Sequence, residues 1–312
     1  MASRIKELDY LKCIFIVLMI IFHLVYIADK YPYAKNVVYT FHMSAFLILS
    51  GYLANIDKPL KSFLKGMLWI FIPYAIMETG YTVMSAVVPT RNPIDEVTLQ
   101  LLLNKAFIAP MGPYWYLHTL VVCSIVYYFV YNYIRMDSFS RFILLSICFY
   151  LLSSVCGLMS FSNAIYFLIG VAVSRSRQGF LTVFRSSVLA IIPLVFFCCF
   201  PENLHRETLA GVTITYLVIS FLLFIYHYLP NRIKQYSYFI GRNTLVILLF
   251  SPIFTILSKF FVPVFAFDSS GMCFMCVAVT FVLAGCFGIT WLMDKLHFST
   301  YFFGRKQMLV YK

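Results

Sequence analysis

Apolar residues in this chain gather into ten stretches with little sequence between them: 8–28, 37–54, 63–88, 113–134, 140–157, 161–174, 186–200, 209–229, 241–266 and 273–293. A helix needs about 20 apolar residues to cross the hydrocarbon core of a bilayer. With 62% of residues hydrophobic and 12% charged, against about 45–50% and about 25% in ordinary soluble domains, almost nothing is left for a soluble body. The expected fold class is all-α: a polytopic integral membrane protein with about ten transmembrane helices, forming a single domain over 1–312. The sixth and seventh stretches are the shortest and have the softest limits.

Charge sets the expected orientation. With the N-terminus in the cytoplasm, only Lys30, Lys35, Arg91, Lys105, Arg206 and Lys259 fall outside, and the other eighteen of the 24 Lys and Arg residues fall inside. Lys and Arg in short loops stay on the cytoplasmic side, so both termini are expected there. The net charge of +12 is then largely topology, and no nucleic-acid partner is needed to explain it. The first stretch is followed by Asp29, Lys30, Tyr31 and Pro32 rather than by a small-residue cleavage site, so it reads as a retained span. The cysteines have no zinc spacing and read as buried small hydrophobes; no metal is expected.

One connection differs from the others. Residues 89–112 form the longest outer loop, with a helix expected within 92–108: Asn92-Pro93 supplies a cap and an N1 proline, and Leu99, Leu102, Leu103 and Phe107 recur at helical spacing. A helix lying at the outer interface serves either as a lid or as a packed loop.

Polar groups inside spans are costly in lipid and are functional candidates by default. Lys12 and His23 lie eleven residues apart on the first stretch, which returns them to within about 20° of one face and separates them by roughly 16 Å. Glu78 is the one carboxylate well inside a span. His23, His42, Glu78 and His118 come from four different stretches at similar expected depth, toward the outer side. The bland readings are a satisfied structural histidine at His42 and His118 and an ordinary aromatic belt around them. Lys12, Lys65 and Arg242 lie at inner ends of spans, where topology explains most cations but where a phosphate-bearing ligand would also meet them first.

Several strings together resemble the membrane-bound acyltransferase 3 family, including its short fucose 4-O-acetylase-like members. They are Leu8-Asp9-Tyr10-Leu11-Lys12 followed after ten residues by His23; Phe41-His42-Met43-Ser44-Ala45-Phe46 through Ser50-Gly51-Tyr52-Leu53; Gly112-Pro113-Tyr114-Trp115-Tyr116-Leu117; and Gly241-Arg242-Asn243-Thr244-Leu245. The similarity covers nearly the whole chain. It departs at the entry to the third span, where the family's usual arginine pair is reduced to Lys65, and at Ser251, where many members have histidine. The resemblance implies transfer of an acyl group, usually acetyl from cytoplasmic acetyl-CoA, to a hydroxyl of an extracytoplasmic glycan. It implies His23 as catalytic histidine and Lys12 as the basic partner of its motif. Glu78 and His118 are further catalytic candidates on the acceptor side, and Lys12, Lys65 and Arg242 are candidates for the phosphates of CoA. The expected setting is a bacterial plasma membrane. The rival class is a transporter or flippase of a glycan or small solute, against which the halves show no repeat and no paired broken helices. Oligomeric state is open.

Overall fold

The computed structural model describes residues 4–87, 94–176 and 178–311. Arg91, the Asn92-Pro93 cap, Arg177 and Lys312 lie outside the described residues. Among those described, the chain is all-helical, without a strand. Each of the ten apolar stretches carries helix.

The principal helices are α1 (Lys6–His23), α2 (Val25–Lys30), α3 (Pro32–Leu53), α4 (Leu60–Val87), α5 (Leu99–Phe107), α6 (Trp115–Tyr133), α7 (Ser138–Ser154) and α8 (Phe161–Arg175). They continue as α9 (Phe180–Val183), α10 (Ile191–Cys198), α11 (Leu209–Tyr228), α12 (Asn231–Arg242), α13 (Thr244–Leu257), α14 (Met272–Lys295) and α15 (Ser299–Phe303). Six segments among the described residues are long and apolar enough to cross a membrane: α3, α4, residues 99–133 containing α6, α11, α13 with the 3-10 turns after it, and α14. Helices α7 and α8 and residues 188–198 are apolar but shorter. Helix α1 is apolar only after its first turns, which carry Lys6, Glu7, Asp9 and Lys12.

Three expectations change in detail. The first stretch is not one helix: Leu24 is extended (φ −69°, ψ 103°), so α1 stops at His23 and α2 restarts at Val25. The helix expected within 92–108 occupies only Leu99–Phe107, and its cap is Thr98, whose hydroxyl accepts from the Leu101 N–H at 3.1 Å. Nor are the cysteines uniformly buried. Cys13, Cys123 and Cys286 are, whereas Cys156, Cys199, Cys273 and Cys276 are exposed on the protein surface.

The chain divides into two compact units. The first comprises residues up to 46, 180–300 and 305 onward. In it α1 runs along α12 and also meets α11, α13 and α14, while α13 packs on α14 and α10 on α11. Helix α12 turns the small residues Ser237 and Gly241, one turn apart, into its buried face. A Cβ on Gly241 would collide with the main-chain carbonyl of Asp9, so glycine is what lets α12 lie against the start of α1.

The second unit comprises residues 47–179 and 301–304. Helix α4 packs on α5 and α6, and α6, α7 and α8 pack on one another. Here the end of α3 meets α8 backbone to backbone: a Cβ on Gly51 would strike the Phe167 carbonyl, and one on Gly170 the Ile48 carbonyl. Its core gathers Phe63, Tyr127, Tyr128, Leu145, Phe149 and Phe167. Tyr128 stacks on Phe63 at 4.1 Å, and its hydroxyl donates to the Lys58 carbonyl at 2.9 Å.

Candidate active site

Helix α1 carries polar chemistry at both ends. At its start, Asp9 is 2% exposed, and a buried carboxylate must be paired. Arg4 donates to both of its oxygens at 2.7 and 2.9 Å, and Arg242 Nε donates to Oδ2 at 3.2 Å. Lys12 Nζ stands 3.9 Å from Oδ1. Three cations therefore share one carboxylate and leave a surplus of positive charge. The Arg242 guanidinium also lies over the Tyr238 ring at 5.9 Å.

Behind Arg242, Asn243 is fully buried and clamps the C-terminal segment. Its Oδ1 accepts from Val310 N at 2.9 Å, and its Nδ2 donates to the carbonyls of Val310 at 3.1 Å and Phe239 at 2.8 Å. Asp294 holds the same segment, accepting from the N–H groups of Met308 at 2.9 Å and Leu309 at 3.1 Å. Asp9 and Asn243 are the residues that reading the sequence missed. Both stand inside quoted strings, but neither string says what the side chain grips.

At the other end of α1, His23 closes the helix. Its Nδ1 lies 2.7 Å from the Met19 carbonyl, four residues back. A carbonyl only accepts, so Nδ1 carries the proton and the neutral ring presents a basic lone pair at Nε2. His42 on α3 is tied in the same way, Nδ1 to the Val38 carbonyl at 2.7 Å. Its Nε2 is buried and has no hydrogen-bond partner. The Tyr39 ring lies between the two, 6.2 Å from His23 and 5.2 Å from His42, and its hydroxyl donates to the Phe22 carbonyl at 3.1 Å. His227 makes the same bond to Leu223 at 2.7 Å, so the tether alone marks no active histidine. What distinguishes the two is the tyrosine that His23 and His42 share and, at His42, the unpartnered buried nitrogen.

The other candidates lie in the second unit. Glu78 on α4 is fully buried; Oε1 accepts from the Met111 N–H at 2.5 Å, while Oε2 is unpartnered. His118 on α6 places Nε2 2.9 Å from the Phe107 carbonyl, and its buried Nδ1 is unpartnered. Tyr74, one turn before Glu78, sits 5.9 Å from the His118 ring and donates to the Ala106 carbonyl at 3.0 Å. His118 thus holds the end of α5, and Glu78 the segment that follows it. Lys65 is exposed on the first part of α4. The structure joins Lys12 to Arg242, His23 to His42, and Glu78 to His118. Among the described residues no three His, Cys, Asp or Glu side chains converge as metal ligands.

This arrangement suits chemistry on a long ligand: surplus positive charge at one end of α1, and imidazoles at the other, roughly 16 Å along the axis. No curated protein and no solved structure is similar enough to match the chain. A family model, that of the acyltransferase 3 domain, matches residues 5–291 and so takes in Asp9, Lys12 and Arg242, the histidines His23, His42 and His118 with Glu78, and α14 up to Trp291. With that match over nearly all of its 312 residues, the chain belongs to the acyltransferase 3 family and is a membrane acyltransferase.

Proposed function

We propose that the protein is an O-acetyltransferase of ten spans, with both termini cytoplasmic, that moves acetyl from cytoplasmic acetyl-CoA to a hydroxyl of an extracytoplasmic glycan. The observation that carries this reading is the pairing on α1 of the Asp9 cation cluster with the tethered His23. CoA bears its charge on phosphates at one end and its thioester at the end of a long apolar arm. Phosphates held by Lys12 and Arg242, with exposed Lys65 as a further candidate, would let that arm run along α1 toward His23 without CoA crossing the bilayer.

A sugar hydroxyl is a poor nucleophile near neutrality. His23 Nε2 would take its proton as the oxygen attacks the thioester carbonyl, a contribution of about 10²–10⁴-fold for a positioned base. The tetrahedral adduct then collapses: the C–S bond breaks, the new ester keeps the acetyl group, and the imidazolium returns its proton to the leaving CoA thiolate. His42, whose Nε2 lacks a partner, adds a second base beside Tyr39. Glu78 and His118 are carried as acceptor-side candidates. The bacterial plasma membrane is the setting the reading implies.

The test uses membranes containing the protein, host glycan and acetyl-labelled CoA. Base-labile label should appear on glycan with wild type and vanish with His23→Ala at equal expression. No label from wild type, with an active relative labelling in the same assay, rejects the acetyl-CoA reaction. Loss of glycan movement without any ester would mark a transporter instead.

A further inference from the structure

Beside His23 and His42, Tyr39 faces a cavity that the reaction as described does not use. Tyr39, the ring between His23 and His42, is also a wall of a cavity of about 590 Å³. Its other polar walls are Asn36, one turn before Tyr39 on α3, and His205, Arg206, Glu207 and Thr208 from the segment leading into α11. That volume lies within the range of small-ligand sites.

The wall is built rather than loose. The Tyr33 hydroxyl donates to the Cys198 carbonyl, tying the start of this segment to α3. Thr208 Oγ1 donates to the His205 carbonyl at 2.8 Å and accepts from Gly211 N at 3.1 Å, which folds residues 205–208 into the cap of α11. Gly211 has no room for a Cβ against the His205 and Arg206 backbone, so α11 begins hard against this turn.

The chemistry of the walls differs from that at Asp9. There, three cations share one carboxylate. Here Arg206 is followed directly by Glu207, with the Asn36 amide, the His205 imidazole and the Tyr39 ring around them, while the Thr208 and Tyr39 hydroxyls are engaged within the protein. The cavity therefore offers donors and acceptors in balance around an aromatic face. A ring bearing several hydroxyls, each both donor and acceptor, meets that demand, whereas a polyphosphate does not.

We propose that this cavity is the acceptor subsite, taking a sugar ring and setting one hydroxyl toward His23 and His42, with Arg206 and Glu207 choosing among acceptors. The proposal rests on the acyl-transfer reading for its role but not for its occupancy, and the two are tested apart.

Occupancy is read on purified full-length Asn36→Cys protein. The rate of N-ethylmaleimide modification at residue 36, followed by peptide mass spectrometry, is compared with and without methyl glycosides of glucose, galactose, mannose and N-acetylglucosamine. At least one glycoside should slow the reaction several-fold. The role is read with the protecting glycoside as acceptor: Arg206→Gln and Glu207→Gln should raise its KM on the order of tenfold, leaving kcat and the KM for acetyl-CoA within about twofold. Protection without transfer by wild type would keep the subsite and remove the acetyl-CoA reaction. Transfer by wild type with no glycoside protecting residue 36, or with acceptor KM unchanged in both variants, overturns the subsite and leaves the reaction standing.

Discussion

Replacing Gly241 by alanine tests whether the contact between α1 and α12 sets the donor end of the site. The added Cβ meets the carbonyl, carbon and Cα of Asp9, all main-chain atoms with no rotamer to yield. Helix α12 must withdraw by on the order of 1 Å, and overpacking of this kind costs about 1–3 kcal/mol. Arg242 is the next residue, and its hydrogen bond to Asp9 is already 3.2 Å long. Arg242 is only 14% exposed, so losing that charged bond adds about 1.5–3 kcal/mol. A total of roughly 3–5 kcal/mol corresponds to a fall of about 6–20 °C in melting temperature for a chain of this size. Thermal unfolding in detergent, followed by the fluorescence of a thiol-reactive dye, reads the first effect. The KM for acetyl-CoA reads the second and should rise at least tenfold, because Arg242 no longer faces Lys12 across Asp9. Ser237→Ala, one turn earlier on the same face, is the control: among the described residues Ser237 bonds within its own helix, to the Lys234 carbonyl at 2.8 Å, and should melt within about 1 °C of wild type. A Gly241→Ala protein that melts with wild type, or that keeps its acetyl-CoA KM, would refute the claim that close approach of these helices shapes the cluster.

Two further outcomes are expected. Asn243→Ala removes three hydrogen bonds of a fully buried side chain and frees Val310; it should destabilise by about 2–4 kcal/mol and speed proteolysis after residue 305, and equal protease resistance would contradict the clamp. Glu78→Gln keeps an oxygen for the Met111 N–H and should melt near wild type, whereas Glu78→Ala strands that N–H and opens a cavity at a cost of about 2–4 kcal/mol. A glutamine variant that folds but does not transfer gives the carboxylate a chemical role, and one that transfers normally makes it structural.

The all-helical character was legible because apolar runs of this length allow little else, and α3, α4, α11 and α14 fall close to their expected limits, but only six segments among the described residues are long and apolar enough to cross a membrane. The break at Leu24 was not: leucine in an apolar run carries no breaker signal, and the extended backbone there is set by tertiary packing, with Leu24 and Ile27 buried against Phe274 and Ala278. The described helix α5 starts at Leu99 because the Thr98 hydroxyl caps it, directly before the apolar residues at helical spacing. At the site, the strings holding Asp9 and Asn243 were recognisable, but their partners lie 233 and 67 residues away, beyond any local pattern. Similar depth also says nothing about azimuth. Within the first unit Tyr39 lies beside both His23 and His42, and within the second Tyr74 lies beside His118, neighbourhoods that no local pattern announces.

On the proposed reading, the charge at Asp9 serves a ligand rather than stability. One arginine suffices to neutralise a buried carboxylate, and Arg4 already holds both oxygens. Lys12 and Arg242, 21% and 14% exposed, are additional. Two such charges at a separation of roughly 6 Å and an effective dielectric of about 20 repel by about 3 kcal/mol. Arg4, half in solvent, adds little to that. A phosphate group placed against them reverses the sign of this term, so the surplus should appear as binding energy. The fragment of CoA that ends at its phosphates, 3′-phospho-ADP, should therefore raise the melting temperature without any thioester, by about 5 °C at a hundred times its Kd. Salt should weaken the shift, since the cluster is partly exposed. Arg242→Gln should abolish most of it, whereas His23→Ala, at the far end of α1, should leave it intact. An equal shift in Arg242→Gln, or none in wild type at low salt, would remove the cluster from donor binding and leave Asp9 as a structural tie between two helices.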